Sequence, residues 1–402
     1  MKVLVLGMGL QGKAVVHDLE QSEVVSAIVA ADIEAAKARA YVEQKGCRKV
    51  QVASLNASQP EAMDQLVRDA QPRVLVCMLP PEFQPSIARA AISAGVHYVS
   101  SSYTGALAEF DGQARERGVT LLPEMGMDPG IDLLLGRLAV DELDVVQGMR
   151  SYGAGLPEPT CAGDNPIHYK ITWTFEGVLK AYMRPARLLK NGEEISIPGG
   201  QIFREEYGHS FEVPGIGVMD AYPNGDAMRY IEIFGLGPEL REMGRYAMRW
   251  PGHNRFWNVM AELGFLGETP ALVAGANISP RRFVVDHLTP KLQFRDTERD
   301  MVIIRVEAWG LKDQKPLRVT YELIDYRDLA TGLFAMNRTV GFTTSIAAQL
   351  LLTGRVTKTG LLNPVRDVPA REVVRELKKR GMTIEKRIGL KGSKGSRGQG
   401  VE

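Results

Sequence analysis

Three glycines at the spacing G-x-G-x-x-G, in Gly7-Met8-Gly9-Leu10-Gln11-Gly12, stand between the apolar run Val3-Leu4-Val5-Leu6 and a stretch of helical character opening near Gln11. The chemistry this spacing serves is the cradling of a dinucleotide pyrophosphate. Gly7 permits the tight turn, Gly9 lets backbone approach the phosphates, Gly12 lets the helix pack closely, and the helix N-terminus offers N–H donors. A Gly-rich turn without ligand is the plainer alternative. Asp32 lies twenty positions after Gly12, at the end of the next apolar run, where a carboxylate accepts from ribose hydroxyls. Its charge would repel a 2′-phosphate by roughly 4 kcal/mol per charge pair at an effective dielectric near 20. Ile33-Glu34 supplies no compensating Arg, so the expected cofactor is NAD, with NADP disfavoured. Asp32 is equally a helix N-cap, and the two roles are compatible. Topology places Asn56 at the adenine edge and Leu79-Pro80 beside the nicotinamide end, and Ser102 and Met127 join this cofactor set.

Two loops at the carboxyl ends of the fifth and sixth apolar runs carry groups that can move a proton. They are Ser100-Ser101-Ser102-Tyr103 and Glu124-Met125-Gly126-Met127-Asp128-Pro129-Gly130-Ile131-Asp132. Ligands of open parallel sheets bind at that edge, which makes Tyr103 and Asp128 the candidate catalytic and substrate-contacting residues. Asp128 before Pro129 is also a ready helix N-cap, and Tyr103 a loop aromatic. The six histidines show no HxH or HxxxH spacing and no Cys cluster joins them, so no metal is expected. No Gly-x-Ser-x-Gly elbow occurs in a strand-to-helix setting, which leaves nucleophilic hydrolysis unsupported.

The elements that must position these groups are legible as periodicity. Apolar runs at 3–6, 27–31, 50–53, 74–79, 98–100 and 120–122 alternate with amphipathic stretches, the pattern of parallel strands joined by crossover helices. The expected fold is α/β: an N-terminal Rossmann domain over 1–125, built on a doubly wound parallel sheet, then a substrate-binding and dimerisation domain over 126–335. Longer loops rich in Gly, Pro and aromatics mark that second domain. Within it, alternation over 169–173 reads as a strand, and 301–309 is expected to pair with 317–326 across a turn containing Gly310. A mostly antiparallel sheet is the expected framework, with edges that favour a homodimer. The stretch 336–353 carries Gly341, Ser345, Ala347 and Ala348 among apolar residues and reads as a buried helix. It opens a segment, 336–388, expected to return to the first domain. Residues 389–402 are almost devoid of apolar side chains and read as a flexible tail.

Composition bounds the function. With 402 residues the chain is longer than one core usually organises, and 45% hydrophobic with 24% charged residues is an ordinary globular balance. A net charge of +1 offers no global field for nucleic acid or an anionic membrane. Nowhere do about 18 apolar residues follow one another. Three scattered cysteines, Cys47, Cys77 and Cys161, suit a reducing compartment. The expectation is a soluble, cytoplasmic protein with a small-molecule partner.

Several segments together resemble the saccharopine dehydrogenase family, in its saccharopine reductase and lysine 6-dehydrogenase branches, over nearly the whole chain. They are Ser101-Ser102-Tyr103, Asp128-Pro129-Gly130-Ile131-Asp132, Ser151-Tyr152-Gly153-Ala154-Gly155-Leu156-Pro157, Asn165-Pro166 with Tyr169-Lys170, and Tyr222-Pro223-Asn224. The opening residues 1–7, Lys378-Lys379-Arg380-Gly381 and Glu385-Lys386-Arg387 look more like lysine 6-dehydrogenase. The resemblance implies hydride transfer at a carbon–nitrogen bond of an amino acid, with Tyr103 and Asp128 facing the reacting substrate and Tyr169-Lys170 lining the pocket. Three departures stand out: Gly153 where the reductases show Cys, Gly225 where they show Arg, and Tyr246-Ala247 where they show Gly-Thr. Losing the Arg removes a bidentate grip on a carboxylate, which leans the reading from saccharopine toward lysine or another smaller substrate. Fungal reductases carry Arg at the Asp32 position and use NADP. Amine oxidation needs a base for the N–H proton and a group to steer water onto the imine, roles that Tyr103 and Asp128 suit. Asn224, Arg245 and Arg249 complete the candidate substrate set, the arginines as carboxylate holders; Lys170 is equally a solvated strand residue. The rival function is a dinucleotide-binding sensor that has lost its chemistry.

Overall fold

The computed structural model describes residues 1–389. Contacts divide the chain into one unit of residues 1–134 with 325–382 and a second of residues 135–324 joined by those from 383. The tail expected over 389–402 lies outside the described residues, apart from Gly389, which closes a strand.

In the first unit the apolar runs become β1 (Lys2–Leu6), β2 (Ala27–Asp32), β3 (Val50–Ser54), β4 (Val74–Cys77), β5 (His97–Ser100) and β6 (Thr120–Leu122). They lie in the order β6-β5-β4-β1-β2-β3, and a seventh strand, Gly360–Leu361, adds beside β6. Every pairing is parallel. Val3, Leu4, Val5 and Leu6 are all fully buried, because a parallel sheet is covered on both faces and its strands read as continuous apolar runs rather than alternating ones. The seventh strand was not expected: two residues carry no period. The fourth strand stops at Cys77, which frees Met78 and Leu79 for the loop beside the glycines.

The buried helix expected over 336–353 is observed as Ala335–Leu352. It packs on α1 (Leu10–Gln21), where a side chain at Gly341 would meet the Ala14 Cβ at 2.6 Å and the Gln11 carbonyl at 2.8 Å. Polar links lock the same seam. Asp18 accepts from Ser345 Oγ at 2.6 Å and from Arg380 Nε at 2.6 Å, so a buried carboxylate is compensated by charge and hydrogen bonds together.

The second unit is built on a nine-stranded sheet. Its strands are β7 (Val145–Pro157), β8 (Ala186–Lys190), β9 (Glu193–Ile197), β10 (His209–Val213), β11 (Gly217–Pro223) and β12 (Glu242–Arg249), followed by Asp300–Lys312, Lys315–Tyr326 and Thr383–Gly389. β7 and β12 pair in parallel, while β7 pairs antiparallel with Asp300–Lys312, so the sheet is mixed. Two local expectations are corrected. The hairpin turns at Asp313-Gln314, both at positive φ, and Gly310 instead lies inside the strand opposite Val146, where the register shifts between Trp309 and Gly310. Residues 169–173 form no strand. The Asn165 side chain takes the place of a ladder there, donating to the Tyr169 carbonyl at 2.9 Å and accepting from the Ile167 N–H at 3.2 Å. Among the described residues no helix is long and apolar enough to cross a membrane.

Candidate active site

The glycine loop has the geometry its spacing predicts. Gly7 adopts φ +92°, and a Cβ there would sit 3.1 Å from the Met78 carbonyl and 3.2 Å from the Leu79 side chain. At Gly12 a Cβ would overlap the Gly7 carbonyl, while at Gly9 nothing lies within 4 Å. The close packing at two glycines and the open space at the third, at the N-terminus of α1, form a cradle that fits a pyrophosphate. Asp32 ends β2 and reaches back into this loop: its Oδ2 accepts from the Met8 N–H at 2.6 Å and its Oδ1 from the Glu34 N–H at 2.8 Å. The carboxylate therefore pins the phosphate loop, which spacing alone did not reveal, and it is not the helix N-cap expected of it, because the next helix begins at Ala35 with Glu34 as its N-cap. Asn56 closes a turn after β3, accepting from the Ser58 N–H at 3.1 Å. Leu79 touches the Gly7 position, and Pro80 follows it.

The two proton-handling loops are stitched together at the carboxyl ends of β5 and β6. The Met125 N–H donates to the Ser100 carbonyl at 3.0 Å and the Glu124 N–H to the Ser102 carbonyl at 2.9 Å. Gly126 fits only as glycine, since a Cβ would meet the Ser101 Cβ at 2.9 Å. Within 119–136 every residue is buried except Asp128, which is half-buried, as is Tyr103. The Asp128-Pro129 peptide is cis. The N-cap alternative for Asp128 falls away, because the following helix begins only at Ile131. Met127 is buried and its carbonyl accepts from the Asp132 N–H at 3.2 Å. Two carboxylates that the motif reading left without a role, Glu124 and Asp132, lie buried at the two ends of the second loop, 0% and 1% exposed. Burial pushes the Asp132 carboxyl up to about 7, against the N–H groups of Gly130 and Leu133 that bind its charged form, and the charge of Glu124 raises it further.

In the second unit, β12 aligns Ala247 with Gly153 and Tyr246 with Tyr152 of β7. Side chains alternate along a strand, so Arg245, Ala247 and Arg249 share a face with Gly153. Tyr246 lies on the other face, stacked on Tyr152 with centroids 5.2 Å apart, beside a cavity of about 230 Å³ lined also by Arg150, His209 and Glu242. The Tyr246 departure thus bears on the opposite face from the arginines, whereas Gly153 and Ala247 bear on theirs. Arg245 lies over the Tyr230 ring, 4.7 Å from its centroid, and its carbonyl accepts from the Asn224 N–H at 2.8 Å.

Arg249 is buried among Tyr169, 5.7 Å from the ring centroid, and Tyr222, 6.0 Å away. His253 stacks on Tyr222 and meets the Tyr182 hydroxyl at 2.9 Å. Burial, with the charge of Arg249, holds the His253 imidazole well below its usual value, so it is neutral. The Tyr169 hydroxyl and Arg249 Nε are buried with no hydrogen-bond partner among the described residues. Tyr182, Tyr222 and His253 come to this cluster from elements far apart in sequence, and no spacing could have grouped them. Lys170 is corrected: it is no solvated strand residue. It is 3% exposed, and its ammonium binds Asp164 at 2.8 Å and Glu298 at 2.6 Å.

Residues 3–122 match the family model for the saccharopine dehydrogenase NADP binding domain, and residues 126–382 that for the saccharopine dehydrogenase C-terminal domain. The chain belongs to the saccharopine dehydrogenase family. It is 28% identical over 429 residues to the mitochondrial alpha-aminoadipic semialdehyde synthase of Bos taurus, covering 90% of this chain and 45% of that protein. The chain thus spans less than half the length of that relative. It is 26% identical over 441 residues to the saccharopine dehydrogenase [NADP(+), L-glutamate-forming] of Saccharomyces cerevisiae, covering 94% of this chain and 96% of that protein. The apo structure of histidine-tagged saccharopine dehydrogenase (L-Glu forming) from Saccharomyces cerevisiae shares the fold, with a TM-score of 0.84 at 24% identity over 97% of this chain and 100% of that one. A nicotinamide cofactor is supported; the family model and the yeast relative are named for NADP, which weighs against the NAD preference read from Asp32.

Proposed function

We propose that this member of the family is an oxidoreductase that moves a hydride between a nicotinamide dinucleotide and the C–N bond of an amino-acid substrate of the saccharopine or lysine type. The observation that carries the proposal is the placement of Tyr103 and Asp128 on interlocked loops at the carboxyl edge of the sheet whose first strand feeds the glycine cradle. Gly7, Met8, Gly9, Leu10, Gln11 and Gly12 would hold the pyrophosphate, Asp32 the ribose, and Asn56, Leu79, Pro80, Ser102 and Met127 the remainder. When bound, the nicotinamide supplies the hydride acceptor or donor. Tyr103 and Asp128 would exchange the proton at the substrate nitrogen and orient water toward the imine carbon. Arg249 with the Tyr169 hydroxyl is the candidate carboxylate holder, since a buried guanidinium beside a donor hydroxyl matches an anion. Asn224 and Arg245 would line the same face. Lys170, engaged by two carboxylates, would brace the Tyr169 segment.

Asp32 favours NAD as the partner of this particular chain, against the NADP of the family name. Free thiols at Cys47, Cys77 and Cys161 support a cytoplasmic setting. The test is direct: incubate the protein with NAD or NADP and with saccharopine or lysine, and follow reduced-nicotinamide absorbance. Reduction with either amine supports the proposal. Dinucleotide binding without turnover of any amino acid supports the non-catalytic sensor instead.

A further inference from the structure

Tyr103 is suspended between two residues that both hold one buried glutamate, one by its backbone and the other by its carboxylate. On its amino side, the Ser102 carbonyl accepts from the backbone N–H of Glu124 at 2.9 Å. On its carboxyl side, Thr104 donates both its backbone N–H, at 3.0 Å, and its hydroxyl, at 2.9 Å, to Glu124 Oε1. Glu124 is fully buried and holds φ +61°, a conformation unusual for a residue with a side chain. It leads directly into the loop that bears Asp128. Gly126 donates to the Pro129 carbonyl at 3.0 Å, Ile131 to the Gly126 carbonyl at 3.0 Å, and the Gly130 N–H to Asp132 Oδ1 at 2.8 Å, leaving Asp128 at the apex. The same loop is fixed from the helix Ala335–Leu352 by the Thr344 hydroxyl, which donates to the Met125 carbonyl at 2.8 Å.

A buried carboxylate oxygen that accepts two donors from one residue is a rigid joint, because leaving either donor unmade in a dry site is costly. The strained backbone at Glu124 is what aims that side chain across to the neighbouring loop.

We propose that Glu124 is a positioning residue that sets Tyr103 relative to Asp128 through its double acceptor contact with Thr104. The proposal rests on the reading of Tyr103 and Asp128 as the proton-handling pair. Its geometric content is that the acceptor oxygen does the holding. Glu124→Gln, which keeps that oxygen, therefore preserves the arrangement, while Glu124→Ala and Thr104→Val loosen it.

The test combines turnover with a measurement that needs no turnover. With saccharopine and lysine as substrates, Glu124→Ala and Thr104→Val are expected to lower kcat at least tenfold with dinucleotide affinity unchanged. Glu124→Gln restores most of the rate, and the Glu124→Ala/Thr104→Val double variant is no slower than Glu124→Ala alone. Independently, protein labelled with 3-fluorotyrosine gives a resonance for Tyr103, assigned by its loss in Tyr103→Phe. That resonance is expected to shift or broaden in Glu124→Ala and Thr104→Val and to stay in place in Glu124→Gln. An unmoved Tyr103 resonance in both loosening variants overturns the proposal, as does a Glu124→Gln variant as perturbed as Glu124→Ala. If Glu124→Ala does not fold, Thr104→Val decides by the same two readouts. Absence of turnover in the wild-type protein counts against the proposed function alone, since the resonance still reports the joint.

Discussion

Replacing Asp32 by Ala should collapse the discrimination between NAD and NADP. On the proposed reading of Asp32, a ribose 2′-hydroxyl would meet an acceptor at this position, whereas a 2′-phosphate would meet a like charge. At about 4 Å and an effective dielectric near 20 that repulsion is roughly 4 kcal/mol per charge pair. Asp32 is half-buried, so water screens about half of it and leaves roughly 2 kcal/mol, about 30-fold in affinity. The carboxylate also accepts from the Met8 and Glu34 N–H groups at 2.6 and 2.8 Å, and charge-assisted bonds of that kind contribute about 1.5 kcal/mol or more each. Asp32→Ala removes the loop pin and the hydroxyl acceptor together, so NAD binding is expected to weaken about 10²-fold. NADP loses the same pin but escapes the repulsion, and should weaken only about threefold. The ratio therefore falls from about 30 toward 1. Titration of both dinucleotides by calorimetry at two ionic strengths checks this, with the wild-type NADP affinity improving relative to NAD as salt screens the carboxylate. Equal wild-type affinities, a wild-type preference for NADP, or an unchanged ratio in Asp32→Ala would refute the reasoning.

Tyr103→Phe and Asp128→Asn should each lower turnover by about 10²-fold while leaving dinucleotide affinity nearly unchanged, measured by steady-state kinetics beside dinucleotide titration; wild-type rates in both would displace the proposed site. Arg249→Met should raise KM for the amino acid by about 10²-fold with a smaller effect on kcat, because the proposed carboxylate contact would be made in ground and transition states alike; an unchanged KM removes Arg249 from the proposed substrate set. Asp132, raised from 3.8 to about 7 by burial, holds its proton in the folded state between about pH 4 and 7, where the unfolded chain has lost it. The stability this contributes is fully present below about pH 4 and is lost as pH rises through 7, an effect of roughly 4 kcal/mol as an upper limit. Asp132→Asn should flatten that decline in chemical denaturation between pH 4 and 8, and an equally steep decline in the variant would assign it to other groups. A homodimer is expected, because Leu263, Phe265 and Phe283 are exposed in the second unit, as are Leu272 and Val273 within the two-stranded hairpin Ala271–Val273 and Ala276–Ile278. Light scattering at micromolar concentration should give twice the mass of one 44.2 kDa chain.

What the sequence alone determined was whatever local spacing encodes. The glycine turn, Asp32 at the end of β2, the six strands that alternate with helices and the existence of the small-residue helix each follow from a pattern within a few turns of chain, where backbone conformation and one-sided burial leave a periodic trace. Even the two loops bearing Tyr103 and Asp128 could be placed, because strand ends of a doubly wound sheet face one edge. Tertiary structure decided what depends on residues distant in sequence meeting in a dry place. Thr104 meets Glu124 only because β5 and β6 lie side by side. Lys170 is neutralised by Glu298, and Arg249 is ringed by Tyr169, Tyr182, Tyr222 and His253. The strand expected over 169–173 failed for the same reason: its alternation was real, but Asn165 and a buried ion pair with Glu298 gave that backbone and that lysine better partners than a ladder would have. Burial makes each such partner matter, since a polar group without water must find its match within the protein, and which match it finds is a property of the packed chain rather than of any segment of it.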